Sequence, residues 1–419
     1  MRHTLFLLLG SLMILTSCVR DTVTESYTFF RPVYKTRDEV KTAIRNDNNE
    51  EIRVPGKIYI KGNYLFLNEL NKGVHVIDFS NPAAPVKKGF IHIPGNVDMA
   101  VRGNFLYADC YTDLMTIDIT DPTAVKLVNY IEGVFPHRVY EMGYMVDTSM
   151  VITSWVRVDT TVKSRVGGGR GLMDFFNMGV LSAQDFASIA NPVANASAPT
   201  NGVGGSLARF ALYDNRLYTV SHSDLKVFNT TNASTPVYLN AVNFQRGDIE
   251  TVFPYQNKLF IGSQTGMYIY ALTNPNNPTY ISEVTHIRSC DPVIADGNYA
   301  YVTLKGGGFC GGNSNQLDVI DITNVSSPFI VATYPLSGPS GLSKDNNILM
   351  ICDGTQGLKF FNAANPAQVT ALGTLTGMEP HDVIALQGLA LVVAKDGVYF
   401  VNYSNPSSPA VLSKMTILN

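Results

Sequence analysis

One phrase recurs along this chain and limits its folding more than any other feature. An apolar run ends in Asp or Asn, passes through Ser, Thr or a small residue, and meets Asn or Asp with proline close behind. The copies are VIDFSNPAAP from Val76, TIDITDPTAV from Thr116, VFNTTNASTP from Val227, IYALTNPNNP from Ile269, VIDITNVSSP from Val319, FFNAANPAQV from Phe360 and FVNYSNPSSP from Phe400. Upstream of each stands a turn followed by a second apolar run: GNYLFLN from Gly62, GNFLYAD from Gly103, DNRLYTV from Asp214, QNKLFIG from Gln256, GNYAYVT from Gly297, DNNILMI from Asp345 and QGLALVV from Gln387. The units start about 40 to 48 residues apart, a spacing typical of repeat architectures. The interval from Gly103 to Asp214 is more than twice that length.

Each unit reads as four short strands. In the first they are Lys57–Lys61, Tyr64–Asn68, Gly73–Phe79 and Val86–Ile93. The residues are β-branched and aromatic, bounded by Gly, Asn, Asp and Pro. The second strand is almost wholly apolar, so burial on both faces is expected. Proline fixes φ and lacks an N–H, so it stops the third strand and turns the chain. A four-stranded unit of about 42 residues cannot bury both its faces alone, and a ring of such units is a β-propeller. The expected fold is therefore all-β, a β-propeller over residues 56–419. Eight blades are favoured. The third would be irregular, with MVITSWVRV from Met150 as its second strand, SIANPVANASAP from Ser188 as a degenerate proline turn, and an insert over about 157–205. Seven blades follow instead if residues 138–205 are an excursion.

The V-I-D-[IF]-[ST]-N-P phrase resembles the LVIVD repeat of bacterial surface proteins, over roughly residues 56 to 415. IPGNVDMAV, GGSLARF, CDPVIADGNYAYVTLKGG, ICDGTQGLKFF and GMYIY are similar to a lipoprotein branch of that family. The resemblance implies a propeller and a cell-envelope location. It implies no established activity.

The N-terminus supports the same address. Arg2 and His3 precede an apolar run from Leu5 to Leu15, too short to span a bilayer as a helix and suited to a secretory signal. The run closes Leu15-Thr16-Ser17-Cys18, which resembles a lipobox. Residues 1–17 would be removed, Cys18 would carry the lipid, and residues 18–55 would form a tether. Within it Tyr27–Tyr34 is extended enough to pair with a blade edge, and Arg37–Arg45 reads as a short helix. Val19 is not the aspartate that holds lipoproteins at the inner membrane, so the outer membrane is expected, with lipid as the only membrane contact.

A net charge of −3 without a Lys/Arg cluster argues against nucleic acid as a partner. Beyond Cys18 there are four cysteines. Cys290 and Cys310 flank a glycine-rich excursion and are the candidate disulfide in an oxidising compartment. Cys110 and Cys352 end apolar strands and read as buried thiols.

Five residues before the first residue of each turn stands a comparable position near the start of a first strand. Read around the chain, these positions give Lys57, Asp98, Arg138, Arg209, Thr251 beside Glu250, Pro292 beside Asp291, Ser340 and Asp382. In a propeller such positions ring the channel mouth. The ring is either a polar funnel for a small ligand, ion or peptide tip, or a set of interblade ties. His92, His137, His286 and His381 fall near the same end, but their spacing follows the repeat rather than a ligand motif, so no metal or cofactor is expected. Asp109 and Asp113 flank a turn that does not match a calcium loop and reads as a solvated turn. The insert holds GGGRG from Gly167 without the Lys-Ser/Thr of a phosphate loop. It then places Phe175, Phe176, Met178 and Leu181 at roughly helical spacing, a candidate partner surface.

Neither a GxSxG nor a zincin motif occurs. The favoured function is a non-enzymatic binding or scaffolding module for a protein or small ligand. The alternatives are a glycan hydrolase or lyase using channel-mouth carboxylates, and a capture partner in a nutrient-uptake assembly. A single tryptophan, Trp155, counts against the glycan enzyme.

Overall fold

The structure is a computed structural model that describes residues 22–47, 50–135, 150–165, 202–244, 248–286, 292–307, 312 and 314–418. The chain divides into two compact units. The smaller contains a two-stranded ribbon of Thr22–Thr36 and Met150–Arg165. The Thr28 hydroxyl bonds the Asp159 carboxylate at 2.6 Å, and the Thr153 hydroxyl bonds the Val33 carbonyl at 3.3 Å. The extended N-terminal segment expected to pair with a blade edge thus has Met150–Arg165 as its partner.

The larger unit is a propeller of seven blades. The first strands, from blade 1 to blade 7, are Pro55–Lys61, Met99–Arg102, Phe210–Tyr213, Ile249–Tyr255, Val293–Asp296, Leu342–Asp345 and Pro380–Leu386. Each is followed by three antiparallel strands in chain order. The expectation of eight blades is corrected here. Met150–Arg165, read as a strand of an extra blade, belongs to the ribbon, so the long interval between blades 2 and 3 is an excursion. Residues 188–199 lie outside the described residues.

The turn chemistry explains the repeated phrase. Asp78 Oδ1 accepts from the Ser80 N–H and hydroxyl, and Asn81 Oδ1 accepts from Ala83 N–H. The pair of turns recurs at Asp118 and Asp121, at Asn229 and Asn232, at Asp321 and Asn324, at Asn362 and Asn365, and at Asn402 and Asn405. Side chains of this length close such turns on their own backbone. The tight turn between first and second strands needs a left-handed residue. Gly62 and Gly103 supply it at φ 56° and 55°, and Asp214 tolerates it at φ 49° in blade 3.

Second and third strands are buried between blades, as with Leu65, Leu67, Val74 and Val76. The fourth strand of every blade carries a bulge opposite its third strand. Bulges bend an exposed edge and weaken it as a template for further pairing. Blade 1 is also capped by Arg45–Asn46. That short strand follows the helix Arg37–Thr42, which opens on a Thr36/Glu39 capping box. Among the described residues no strand is exchanged between termini to close the ring. Blade 7 packs on blade 1 through Phe400 and Phe79, ring centroids 6.1 Å apart, and Ser413 Oγ donates to the Pro82 carbonyl at 2.6 Å.

Candidate functional site: the channel and its mouth

The two faces of the propeller differ. On one, every connection is a short turn of the types just described. On the other lie the longer connections, such as His92–Met99 and Pro335–Leu342, and the described ends of those that leave Ile131, His286 and Lys305. Variable loops on a rigid scaffold are where binding concentrates.

Behind that face the chain itself enters the channel. The segment 202–209 returns from the excursion and crosses the interior before blade 3 begins. Gly202 N–H donates to the Val101 carbonyl at 2.8 Å, and Tyr59 Oη donates to the Gly202 carbonyl at 2.9 Å. Val203 and Gly204 add a short strand to blade 1 opposite Ile60 and Tyr59, and Gly205 N–H bonds the Ile58 carbonyl at 2.9 Å. Ser206 then reaches the other side of the ring. Its N–H and hydroxyl donate to Asp382 Oδ1 at 3.0 and 3.1 Å, while its Oγ accepts from Leu342 N–H at 2.6 Å. Ala208 accepts from Val252 N–H, and Arg209 N–H donates to Asp98 Oδ2 at 2.5 Å. Blades 1, 2, 4, 6 and 7 all hold this one segment.

Lys57, Asp98 and Asp382 of the expected polar ring sit against it, and Arg209 belongs to it. Lys57 Nζ lies 2.8 Å from Asp98 Oδ2, and both side chains are buried. Burial pushes the Lys57 ammonium down to about 8 against the pull of Asp98, with Arg209 adding to the fall. Burial likewise raises the Asp98 carboxyl, opposed by Lys57. Asp382, 2% exposed, is pushed up to about 7 by burial, although the Val383 N–H, Ser206 and Lys57 favour its charged form. Glu250 is 4% exposed and accepts from Gln264 Nε2 at 3.1 Å. Three of the expected positions thus meet at the plug as Lys57, Asp98 and Arg209, and Asp382 meets it from the opposite side. Arg138 and Asp291 lie outside the described residues, as do Cys18, Cys290, Cys310, Phe175, Phe176, Met178 and Leu181.

A second set of acids was not legible as a set. Glu69 accepts from Arg53 and Val54 N–H, Asp109 from Val97 and Asp98 N–H, and Asp353 from Ser337 and Gly338 N–H. Each ends the second strand of its blade and ties down the loop leading into that blade's first strand. The signal is a recurring acid five or six residues beyond the turn. Asp109 and Asp113 are fully buried, so the solvated turn expected of them is corrected. Asp113 instead accepts from Tyr130 Oη and Gly133 N–H and pairs with Arg37. Ser206 was also missed. Its signal is the preceding pair Gly204-Gly205, where a Cβ on Gly205 would stand 2.0 Å from Asp382 Oδ2.

Among the described residues His92 and His381 do not converge. His92 bonds the Ala43 carbonyl at 2.9 Å near the outer edge of blade 1, while His381 is exposed at the start of blade 7. Among the described residues no group of three His, Cys, Asp or Glu side chains is placed to hold a metal ion. Cys110 and Cys352 are buried thiols, and Cys110 Sγ lies 3.0 Å from the Pro94 carbonyl. No helix among the described residues is long and apolar enough to cross a membrane.

The LVIVD repeat matches residues 55–91, 95–131 and 288–335, which contain blades 1, 2 and 5. No curated protein sequence matches the chain. Among solved structures, a protein from Lactobacillus plantarum is similar at TM-score 0.56 and 12% identity, over 88% of this chain and 97% of that one. The periplasmic gluconolactonase PpgL of Pseudomonas aeruginosa is similar at TM-score 0.51 and 13% identity, over 88% and 97%. The computationally designed Ika8 protein is similar at TM-score 0.53 and 10% identity, over 87% and 88%. At these identities the likeness extends to the fold alone. The chain is an all-β propeller of seven four-stranded blades that carries LVIVD repeats.

Proposed function

We propose that this protein is a non-enzymatic binding or scaffolding module of the bacterial cell envelope, anchored at the outer membrane through lipid on Cys18. Its partner would meet the propeller face that carries the long connections. The observation that supports this most is the burial of the channel acids beside the segment 202–209 that crosses between the blades. Asp98, Glu250 and Asp382, the described carboxylates best placed for chemistry there, are buried and accept hydrogen bonds from the protein itself. A glycan enzyme needs a carboxylate pair open to substrate. With these acids buried, recognition is left to the loops, which a rigid seven-bladed scaffold holds in place.

The test is photo-crosslinking in the native host, with a crosslinkable amino acid at Lys305 or Lys395 on the loop face and at Asn276 on the short-turn face. The reading expects one discrete protein adduct or ligand-dependent protection from the loop face alone. Equal labelling from both faces, or none from the loop face, overturns it. Recovery with a transport complex would select the nutrient-capture form. A Cys18→Ala variant that still fractionates with the outer membrane overturns the anchor.

A further inference from the structure

We propose that the contact between Asp382 and Ser206 is a protonation-sensitive latch on the channel segment 202–209, seated while the Asp382 carboxyl is neutral and loosened when it ionises.

The geometry carries the argument. All three donors to Asp382 converge on a single oxygen: Oδ1 accepts from Ser206 N–H, the Ser206 hydroxyl and Val383 N–H at 3.0, 3.1 and 2.9 Å. The other oxygen, Oδ2, is buried without a hydrogen-bond partner. It faces the backbone of Gly205, where even a Cβ would stand 2.0 Å away, and a Cβ on Gly341 would stand 2.4 Å from Oδ1. The carboxyl is clamped between two glycine backbones with no space for water. A neutral carboxyl leaves one unpaired polar group at Oδ2, a smaller cost than an unsolvated charge there, even though the three donors to Oδ1 favour the charged form. A carboxylate places charge on an oxygen that nothing solvates, and burying an unsolvated charge is costly.

The surrounding charges do not remove that cost. From blade 1 Lys57 faces the carboxyl and favours its charge, but Lys57 already bonds Asp98. Asp98 of blade 2 opposes it. Arg209, on the segment itself, and Asp109 act on Lys57 in opposite senses. From blade 6 the Cys352 thiol lies near and is itself held neutral by burial. Burial is the largest influence on Asp382 and sets its titration at about 7.

Relief comes from admitting water to Oδ2, and the wall that can yield is the segment 202–209. Gly205 covers the oxygen, and Ser206 is the segment's only hydrogen-bonded tie to blades 6 and 7 among the contacts described. The opposite wall is blade backbone: Gly341 N–H bonds the His381 carbonyl at 2.9 Å, and Asp382 lies within the first strand of blade 7. Loosening would free the return leg of the excursion while the blades stay folded.

Hydrogen exchange followed by mass spectrometry on the full mature chain tests this. Protection of peptides covering 202–209 is compared at pH 5.5 and 8.5, corrected for the intrinsic exchange rate, with Lys258–Ser263 of blade 4 as the internal control. A closed-state value near 7 and an ordinary carboxyl value in the open state predict a loss of protection of roughly tenfold or more at the higher pH, confined to this segment. Asp382→Asn should abolish the pH dependence. Ser206→Ala should lower protection at pH 5.5 and keep the pH dependence. Unchanged wild-type protection across the two pH values overturns the latch, as does an equal loss in the control peptide or in Asp382→Asn. The wild-type comparison decides the matter by itself if Asp382→Asn does not fold.

Discussion

Ser206 donates both its backbone N–H and its hydroxyl to one oxygen of Asp382, across 176 residues of sequence. That pair of bonds joins the segment leading into blade 3 to the first strand of blade 7. It makes the channel interior part of the structural core.

Stability should pass through a minimum near pH 7 to 8. Asp382 titrates at about 7 when folded against an ordinary 3.8, so the folded state holds the extra proton between these values and stability falls as pH rises through that window. Lys57 titrates at about 8 against 10.5, so the unfolded state holds its extra proton there and stability is regained as pH rises from 8 to 10.5. The Asp382 contribution is on the order of 4 kcal/mol at most. Urea midpoints at pH 5, 7.5 and 9.5 check the shape, and Asp382→Asn should flatten the acidic limb.

Removing one member of the Lys57–Asp98 pair should be far worse than removing both. Lys57→Met leaves the Asp98 carboxyl buried without its cation, a loss of about 3–5 kcal/mol. The double variant Lys57→Met/Asp98→Asn should recover more than half of that. A double-mutant cycle by denaturant unfolding measures the coupling. Simple addition of the two single losses would contradict a tight buried pair.

Gly205→Ala should destabilise by about 1–3 kcal/mol, because its Cβ meets Asp382 Oδ2 and the Ile58 side chain. Gly103→Ala tests a different cause. Its Cβ meets nothing within 4 Å, so its smaller loss would come from a left-handed φ of 55°. Thermal melts of the two variants should therefore rank Gly205→Ala as the more damaging.

Cys110 and Cys352 should resist alkylation in the native state. Both are fully buried, and burial raises the Cys352 thiol well above its ordinary range. Thiolate is the reactive form. Peptide mapping after iodoacetamide should find both unmodified at pH 8 and modified once urea unfolds the chain. Labelling of Cys352 without unfolding would show that blade 6 opens locally.

The blade was readable from sequence because its information is local and repeated. Asp78, Ser80 and Asn81 close their turns on their own backbone, within two or three residues. The near-continuous burial and length of Tyr64–Glu69 and Gly73–Asp78 follow from the same short window. Lys57, Asp98, Arg209 and Asp382 could be placed near the channel because the repeat itself sets their position.

The sequence by itself determined the four-stranded unit, its turns and the ring they build. Tertiary structure alone decided how many blades close that ring, because Met150–Arg165 has strand character whether it pairs with a blade or, as here, with Thr22–Thr36. It also decided that Ser206 bonds Asp382 across the ring and that Asp382 is buried against Gly205. Those contacts join residues far apart in the chain, and nothing in the local pattern of either residue specifies its partner. A period of about 42 residues encodes a repeating local geometry, whereas a single contact across the ring depends on how all the blades pack.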